Sequence, residues 1–471
     1  MSNDLGKLAD LAKPKIKPVL DEGFRPAVLA NKAFRKLVEA SGNPVPLVIG
    51  LERADGTTSR FETAVLPADH PGSGMNYPYV ERLVKFLLWM KGGWKVSIGG
   101  PREIGEHITR VYSPTGEREF DYNFHGQSVS ERDFTVVITD ADKVAPAHEV
   151  GASIGRHLEG YRIGFDLGAS DRKVSAVVNG EPIYTEEVNW DPRNNTDPAY
   201  HYAEVNAALK TAASKMPRVD AIGGSSAGVI MNNRPMVASL FRGIPKERYG
   251  KIREMFVELG KEWGVPMVVV NDGDVTALAG AMSLGENAIL GVAMGSSEAA
   301  GYVDPNGNIT GWLNELAFCP MDYRVNAPKD EWSGDDGCGV QFMSQQAVFR
   351  LAPGVGIHLD ESADLADRLK SVQVLMHAGD KRAIDIWNTV GVYVGYAVAH
   401  YADFYDVNHV LILGRVTSGD GGDIIISKAQ EVLDTEFPEL AKKLKINLPD
   451  EKSRRVGQAV AAASLPELKQ A

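Results

Sequence analysis

A hydrophobic segment beginning at Ile163 ends in an aspartate and a turn of small residues. Its sequence is IGFDLGAS, so Asp166 is followed closely by Gly168 and Ser170. Small residues let backbone N–H groups approach phosphate oxygens, and a carboxylate can hold a hydrated Mg²⁺. The pattern therefore predicts a phosphate-binding turn beside a magnesium carboxylate. An ordinary β-turn with a solvated aspartate is the alternative.

A second carboxylate follows the apolar stretch VVV at the start of another predicted helix. Asn271 and Asp272 stand at this junction, and Asp274 lies two residues further on. A carboxylate at such a strand end can accept the proton of an alcohol that attacks phosphorus. The alternative is that Asp272 or Asp274 simply caps the helix, which is a common role for aspartate.

Two further predicted strands end in turns of small or hydroxylated residues. The stretch ILGVAM leads into Gly295 and Ser296, and the stretch VLIL leads into Gly414 and Arg415. The first turn is a second candidate phosphate site, and the second suits a nucleoside beside a helix N-terminus. Both patterns also occur in α/β loops that bind no ligand.

Strands alternate with helices from residue 161 onward, which indicates an α/β fold. Asp197 and Pro198 predict the start of one helix, as N-cap and first helical residue. The predicted strands are 161–167, 173–178, 183–187, 219–223, 267–271, 288–294, 299–304, 309–312 and 409–413. The predicted helices are 198–215, 246–263, 275–284 and 380–405, with another from 423. Two segments of this region each begin with a cluster of strands, which suggests two such domains in tandem.

Residues 1–160 have a different pattern, which predicts a mixed α+β block. Most of 1–42 is expected to be helical, and Asp55-Gly56 predicts a hairpin turn between 46–51 and 60–66. The apolar spacing of 79–90 predicts an amphipathic helix, and 134–139 a buried strand.

The composition limits the function classes. The chain has 471 residues, 44% hydrophobic and 24% charged, enough for about three globular domains. A net charge of −12 argues against nucleic-acid or anionic-membrane partners. Cys319 and Cys338 are the only cysteines, which fits a reducing compartment. No signal peptide or long apolar segment is apparent, so a cytoplasmic protein is expected.

The order and spacing of the four motifs resemble the ROK family of sugar kinases and repressors. The resemblance runs from Tyr161 to about Leu465, with a long final helix in which Gly391 and Gly395 permit close packing, and a closing helix around Gly457. It implies an α/β fold with two ribonuclease-H-like (actin/hexokinase-like) domains around a cleft. The expected domains are 161–273 with a returning helix 455–471, and 274–454. They are preceded by the α+β extension 1–160.

The resemblance also implies ATP-dependent phosphorylation of a sugar or sugar-like hydroxyl. Asp272 would be the general base, and Asn271 and Glu315 would bind sugar hydroxyls. The upstream sugar-binding asparagine of the family corresponds here to Ser239. A surface carboxylate is the alternative for Glu315.

The nucleotide contacts follow from the same resemblance. Asp166 would organise Mg²⁺, with Gly168 and Ser170 in the first phosphate loop. The second loop would contact the transferred phosphoryl group through Gly295 and Ser296, and Gly414 would face the adenosine. Arg415 replaces a customary glycine and would offer a cation to phosphate or a surface for adenine. ATP and Mg²⁺ are therefore the expected cofactors.

The sequence departs from the family at its zinc site and at one sugar contact. Phe318 stands where the family has histidine, and the run 331–338 keeps one thiol of three, Cys338. One soft ligand cannot form a tetrahedral zinc site, so no structural zinc is expected. A sugar-binding glutamate falls on Val340, or on Gln341 with a one-residue shift. The acceptor is therefore left open between a hexose, another polyol and an acidic small molecule.

Several glycines of the family's phosphate loops are also replaced. Ala169, Ser297, Ala299 and Arg415 stand in their places, and a Cβ at a positive φ costs about 1 kcal/mol. A sugar or nucleotide sensor without turnover is therefore the alternative function.

A repressor is not expected, because residues 1–160 are neither basic nor of helix-turn-helix type. This block is expected to be a lid, an oligomerisation surface or a cap. A small sugar or polyol and a homo-oligomer are the expected partners.

Overall fold

The structure, a computed structural model, describes residues 2–149, 154–448 and 451–468. The chain forms two compact units. The first unit comprises residues 1–150, 292–299 and 312–448, and the second comprises 151–291, 300–311 and 449–471. Residues 1–150 thus share a unit with most of the chain after 312, whereas the sequence suggested a separate extension. The first unit also receives 292–299, and the second receives 274–291. Both segments had been assigned to one predicted domain.

The first 150 residues form an α+β arrangement, as the sequence predicts. The elements are α1 (Ser2–Ala9), α2 (Ala27–Ala40), β1 (Val45–Glu52), β2 (Thr58–Val65), α3 (Asn76–Lys91), β3 (Lys95–Gly99), α4 (Arg102–Val111), α5 (Glu119–Asn123) and β4 (Thr135–Thr139). The sheet order is β2-β1-β3-β4, and β1 and β2 form the predicted antiparallel hairpin. The expectation that most of 1–42 is helical is wrong between α1 and α2. That stretch contains Pro14, Pro18 and Pro26, which remove backbone donors and disfavour helix.

Helix α3 differs from the amphipathic helix that its sequence predicts, because nearly all its side chains are buried. Its charged residues Glu81, Arg82 and Lys85 are among the buried ones. The apolar face joins a core with β1, β3 and α2. Charges buried on its other side require partners, which are described below.

The second unit is built on a mixed sheet. Its first elements are β5 (Tyr161–Leu167), β6 (Asp171–Val178), β7 (Glu181–Asn189), α6 (Pro198–Ala213), β8 (Ala221–Ser226), β9 (Val229–Met231), β10 (Arg234–Val237), α7 (Tyr249–Trp263), β11 (Met267–Asn271) and α8 (Asp272–Leu284). The sheet order is β11-β8-β5-β6-β7. The pairs β5–β8 and β8–β11 are parallel, whereas β5–β6 and β6–β7 are antiparallel. Asp197 caps α6 and accepts from the Ala199 N–H, as the sequence predicts.

The remaining elements complete both units. They are β12 (Ile289–Met294), β13 (Glu298–Val303), α9 (Gln345–Leu351), α10 (Leu365–His377), α11 (Lys381–Tyr401), β14 (His409–Leu413), α12 (Asp420–Glu436), α13 (Pro438–Ala441), β15 (Lys445–Asn447) and α14 (Glu451–Ala463). The sheet order is β13-β12-β14-β15. The strand predicted at 309–312 is wrong, because only Ile309 bridges to Val303.

Helix α14 returns to the sheet of the second unit. A Cβ built on Gly164 of β5 would lie 2.2 Å from the Ala459 carbonyl oxygen, and one on Gly223 of β8 would lie 1.7 Å from that of Ala462. The helix backbone therefore rests directly on the strands. The expected returning helix 455–471 begins earlier and ends at Ala463; residues 469–471 lie outside the described residues.

Helices α11 and α12 pack closely in the first unit. A Cβ on Gly391 would lie 2.6 Å from the Lys428 Cβ, and one on Gly395 would lie 2.6 Å from the Val432 Cβ. This contact agrees with the close packing inferred from those glycines. Within the described part of the chain, no helix is long and apolar enough to cross a bilayer.

Candidate active site

Three parallel strands bring the predicted carboxylates to one edge of the second unit's sheet. Asp166 on β5 is in register with Ser225 on β8, and Ser226 is in register with Asn271 at the end of β11. Asp272 follows as the first residue of α8. Because the carboxyl ends of adjacent parallel strands lie at the same edge, these side chains come together. The prediction that Asp166 and Asp272 stand at strand ends is confirmed.

The two carboxylates of this edge repel each other. Burial, and after it the charge of Asp166, together raise the pKa of Asp272 to about 6. Burial also raises the pKa of Asp166, although the Ser225 hydroxyl opposes this by donating to its Oδ1 at 2.7 Å. Over the described ranges, neither carboxylate has a salt-bridge partner; the charge of Lys173 lowers the pKa of Asp166, but the Lys173 ammonium pairs with Asp171 at 3.1 Å. The edge therefore carries negative charge without a bound cationic side chain.

The helix cap at this edge is Asn271, not Asp272 or Asp274. The Asn271 Oδ1 accepts from the Gly273 N–H at 2.7 Å, and its Nδ2 donates to the Gly228 carbonyl at 2.8 Å. The alternative that Asp272 is simply the N-cap is therefore wrong. Asn271 already has a structural partner on each side of its amide, so any contact with a sugar hydroxyl would use its remaining donor or lone pair.

Ser239 lies near the same edge through a short chain of contacts. It begins a 3₁₀ turn, Ser239–Phe241, and its side chain is exposed. The preceding Ala238 packs on Gly228, where a Cβ would lie 2.5 Å from the Ala238 Cβ. Gly228 in turn accepts from the Asn271 amide. The sugar-binding positions expected in this unit are thus connected through Gly228.

The turn after β5 is closed by hydrogen bonds. The Gly168 N–H donates to the Asp171 carbonyl at 2.9 Å, and the Gly168 carbonyl accepts from the Trp190 indole at 2.8 Å. The Ser170 hydroxyl is exposed and donates to Asp171 Oδ2 at 3.1 Å. Phosphate contact in this turn would thus come from the Ser170 side rather than from the Gly168 N–H.

The two turns predicted to contact nucleotide in the first unit lie side by side. Gly414 follows β14 with φ of 107°, and a Cβ there would lie 2.4 Å from the carbonyl oxygen of Met294, at the end of β12. Only glycine fits this approach. Gly295 follows Met294, and Ser296 next to it is exposed. The exposed Arg415 extends the same edge.

Both backbone polar groups of Gly295 already have hydrogen-bond partners within the protein. The Gly295 N–H donates to the Ser297 carbonyl at 2.9 Å, and its carbonyl accepts from the Gln345 N–H at 3.0 Å. The Ser296 carbonyl accepts weakly from Gln346 at 3.5 Å. A phosphoryl group would therefore meet Ser296 more readily than the Gly295 amide.

The replaced glycines cause no backbone strain. Ala169, Ser297, Ala299 and Arg415 all lie outside the positive-φ residues of the structure. The expected penalty of about 1 kcal/mol for a Cβ at positive φ therefore does not arise at these positions.

Glu315 is half-buried and lies in the first unit beside a fully buried carboxyl, Glu298. Burial raises the pKa of Glu298 to about 8, and the charge of Glu315 contributes to the rise. The Tyr401 hydroxyl donates to Glu298 Oε1 at 2.6 Å, whereas Oε2 is buried without a hydrogen-bond partner. A protonated Glu298 therefore stands next to the carboxylate predicted to bind the acceptor.

The positions matched to the family's zinc ligands contact other groups here. The Phe318 ring packs 4.3 Å from Trp89 and 5.1 Å from Trp332, measured between ring centroids. The buried Cys338 thiol lies 3.8 Å from the Asp335 carbonyl. In the described stretches, no three His, Cys, Asp or Glu side chains are grouped as a metal site.

Sequence reasoning missed Ser225 and Glu298. The predicted strand 219–223 stops short of Ser225, whereas the observed strand β8 runs from Ala221 to Ser226. Gly224 continues the strand beneath the ring of Phe165. Glu298 had a usable signal, since it is the one charged residue between Gly295 and Val303.

The fold of this chain occurs in solved ROK-family structures. A ROK family transcriptional regulator, a homologue of the E. coli MLC protein, matches with a TM-score of 0.51 and 18% identity over 65% of this chain and 79% of that chain. The chain therefore has the ROK fold, and the expected α/β, actin/hexokinase-like class is confirmed.

Two ROK kinases are similar with lower TM-scores. A ROK family glucokinase from Streptomyces griseus, solved with glucose and AMPPNP, has a TM-score of 0.48 and 19% identity over 64% of this chain and 99% of that chain. A ROK hexokinase from Thermus thermophilus has a TM-score of 0.49 and 17% identity over 64% of this chain and 97% of that chain. No family model and no curated sequence matches the chain.

Proposed function

We propose that this chain is a ROK-family phosphotransferase that moves a phosphoryl group from ATP to a hydroxyl of a sugar or sugar-like molecule. One observation carries the proposal. Asp272 stands unpaired at the sheet edge with a pKa raised to about 6 by burial and by Asp166. A base whose pKa lies near the operating pH is well matched to removing a proton from an attacking alcohol.

In this proposal Asp272 accepts the acceptor's hydroxyl proton as the oxygen attacks the γ-phosphorus, and ADP leaves. Asn271 holds Asp272 at the first turn of α8 by capping the helix, and Asn271 and Ser239 offer polar groups to the acceptor. A carboxyl with a pKa of about 6 is mostly ionised at neutral pH, so Asp272 is free to accept this proton and binds it more tightly than an ordinary aspartate would. The second unit thus supplies the base and part of the acceptor site.

Mg²⁺ fits the oxygen donors of this edge. Asp166 lies beside Asp272 without a paired cationic side chain in the described residues, and a hydrated divalent ion would relieve their repulsion. Asp166 would hold the ion, through water in the expected arrangement. A bound Mg²⁺ would neutralise charge on phosphate oxygens.

The first unit supplies the proposed nucleotide contacts and another acceptor contact. Ser296 and Gly295 would meet the transferred phosphoryl group, and Gly414 and Arg415 the nucleoside. Glu315 would accept hydrogen bonds from acceptor hydroxyls, with the protonated Glu298 beside it as a fixed neutral neighbour. In the second unit, Gly168 and Ser170 form the other proposed phosphate turn.

A second candidate function is a sensor that binds sugar or nucleotide without turnover. The observation that favours it is the Gly295 turn, whose N–H already donates to Ser297 and so has less capacity to stabilise a transferring phosphoryl group. The position of Asp272 at the end of β11, with its pKa raised to about 6, favours the enzyme.

The two functions are separated by measuring ADP release with ATP, Mg²⁺ and a panel of glucose, mannose, N-acetylglucosamine, a linear polyol and a sugar acid. Calorimetric titration of the same compounds accompanies the assay. Acceptor-dependent ADP release supports the phosphotransferase. Binding of an acceptor and ATP without ADP release would replace that proposal with the sensor.

A further inference from the structure

The turn that carries Glu315 is attached to the end of helix α3. The Glu315 N–H donates to the Trp89 carbonyl at 3.0 Å, and the Asn314 N–H donates to the Met90 carbonyl at 2.8 Å. Both carbonyls belong to the last turn of α3 and have no acceptor role within the helix. Residues 314 and 315 therefore cap a helix from the N-terminal block.

Asn314 is itself fixed in an uncommon conformation. Its φ is 52°, in the left-handed region, and it is almost fully buried. Its Oδ1 accepts from the Tyr405 hydroxyl at 2.9 Å. Asparagine tolerates this conformation better than most residues, and the capping contacts hold it there. The backbone conformation that orients the Glu315 side chain is thus fixed by contacts with α3 and Tyr405.

The residues after Glu315 are held by an aromatic cluster. The Phe318 N–H donates to the Glu315 carbonyl at 3.2 Å, so the two residues share one turn. The Phe318 ring packs on Trp89 of α3 and on Trp332, and Trp332 also contacts Phe120 at a centroid separation of 5.0 Å. The N-terminal block therefore encloses this turn on its aromatic side.

A buried ion-pair network attaches α3 to the 330–338 segment that carries Trp332. Lys85 has no exposed surface, and its Nζ lies 2.5 Å from Asp335 Oδ2 and 3.0 Å from Asp121 Oδ2. Arg118 pairs with Asp335 and, at 2.6 Å, with Glu81 of α3. Burial opposes the charge of Lys85, but Asp121 and Asp335 raise its pKa above the usual value. The Lys85 ammonium therefore keeps its charge around neutral pH, whereas burial raises the pKa of Asp121.

These contacts converge on the turn that carries Glu315, and buried ion pairs in some proteins fix local geometry. We infer that helix α3 is a built-in part of the acceptor site, in which Lys85 and Trp89 act as positioning residues for Glu315. The inference rests on the proposed role of Glu315 in acceptor binding. It gives the N-terminal block a function other than a lid or an oligomerisation surface.

The test uses the full-length chain with Asp335→Asn, which removes the ion pairs of both Lys85 and Arg118 with the 330–338 segment while leaving the Lys85–Asp121 and Arg118–Glu81 pairs. Amide hydrogen exchange at Asn314 and Glu315 is expected to accelerate about tenfold or more. The KM for the best acceptor of the panel is expected to rise about tenfold, with kcat and the KM for ATP within about twofold of wild type. Asp336→Asn is the matched control, because the one salt bridge of its carboxylate among the described residues is with the exposed Lys329 at 2.6 Å.

Lys85→Met is the second variant and removes the cation itself. Unchanged exchange at Asn314 and Glu315 in both variants would overturn positioning by α3, whatever the activity. Faster exchange with an unchanged acceptor KM would overturn the link to Glu315 function. Loss of acceptor binding in Asp336→Asn to the same extent would assign the effect to the loop alone and contradict the role of Lys85. Absence of acceptor-dependent ADP release in the wild type sinks the proposed function instead.

Discussion

Two pairs of carboxylates in this chain differ in burial and in whether a cation accompanies them: Asp121 and Asp335 are buried, whereas Asp166 and Asp272 are half-buried. In the first unit, Asp121 and Asp335 surround Lys85 at 3.0 and 2.5 Å. In the second unit, Asp166 accepts from the Ser225 hydroxyl and Asp272 from the Gly273 N–H, and the pKa of Asp272 rises to about 6. Asp121 and Asp335, which pair with Lys85, connect segments of the fold. Asp272, which has no cationic partner among the described residues, has a raised pKa that suits it to accept a proton in a reaction.

The largest expected effect comes from removing the unpaired base. Asp272→Asn should lower kcat by about 10²–10⁴-fold, because the acceptor's proton loses its carboxylate. Its melting temperature should be equal to or above that of wild type, since the repulsion with Asp166 disappears. Steady-state ADP release and thermal unfolding check both parts. Turnover within a few-fold of wild type would remove Asp272 from the mechanism.

The paired group should behave in the opposite way. Lys85→Met leaves Asp121 and Asp335 buried without their cation and should lower the free energy of unfolding by about 3–5 kcal/mol. Urea denaturation measures the loss, with Lys143→Met as control because Lys143 pairs with Asp140 on the exposed surface. A loss below about 1 kcal/mol would show that water or structural relaxation compensates the charges of Asp121 and Asp335. The two pairs of carboxylates would then differ less than the structure indicates.

Glu298 is an intermediate case, since it is buried without a cation but remains protonated. Its pKa is raised from 4.5 to about 8 in the fold, so the folded state binds this proton more tightly. The free energy of unfolding should therefore fall as pH rises from about 4.5 to about 8. Glu298→Gln should flatten this dependence, as denaturation at several pH values would reveal. An unchanged slope would mean that Glu298 is already ionised at neutral pH.

The smallest expected effect concerns the phosphate turn after β5. Ala169 does not have a positive φ, so Ala169→Gly should only increase the entropy of the unfolded chain and destabilise the fold by about 0.4–1 kcal/mol. Thermal denaturation checks the sign. Stabilisation by glycine would instead show that the Ala169 methyl group strains the turn, as expected from the sequence.

The sequence predicted the edge of the second unit's sheet well, because local patterns determine it. The apolar runs before Asp166 and Asp272 gave β5 and β11 their correct bounds, and parallel strands then place both carboxylates at one edge. Asn271 was assigned to the acceptor, since capping geometry depends on the Gly273 N–H and cannot be separated from ligand binding by residue type.

The first unit was predicted less well, because its contacts join distant segments. Lys85 and Asp335 are 250 residues apart, and nothing in the spacing of α3 indicates that its charged face is buried. A similarly long separation in sequence hides the hydrogen bond between the Glu315 N–H and the Trp89 carbonyl. The sequence therefore suggested a separate N-terminal block where the structure has one compact unit.

The account depends on mutual repulsion between Asp166 and Asp272, which a titration of the Asp272 carboxyl carbon by NMR measures directly. We expect a midpoint of about 6 in the wild type and a lower midpoint in Asp166→Asn, because the neighbouring charge is gone. A midpoint near the ordinary value of 3.8 that Asp166→Asn leaves unmoved would contradict the unpaired base on which the proposed function rests.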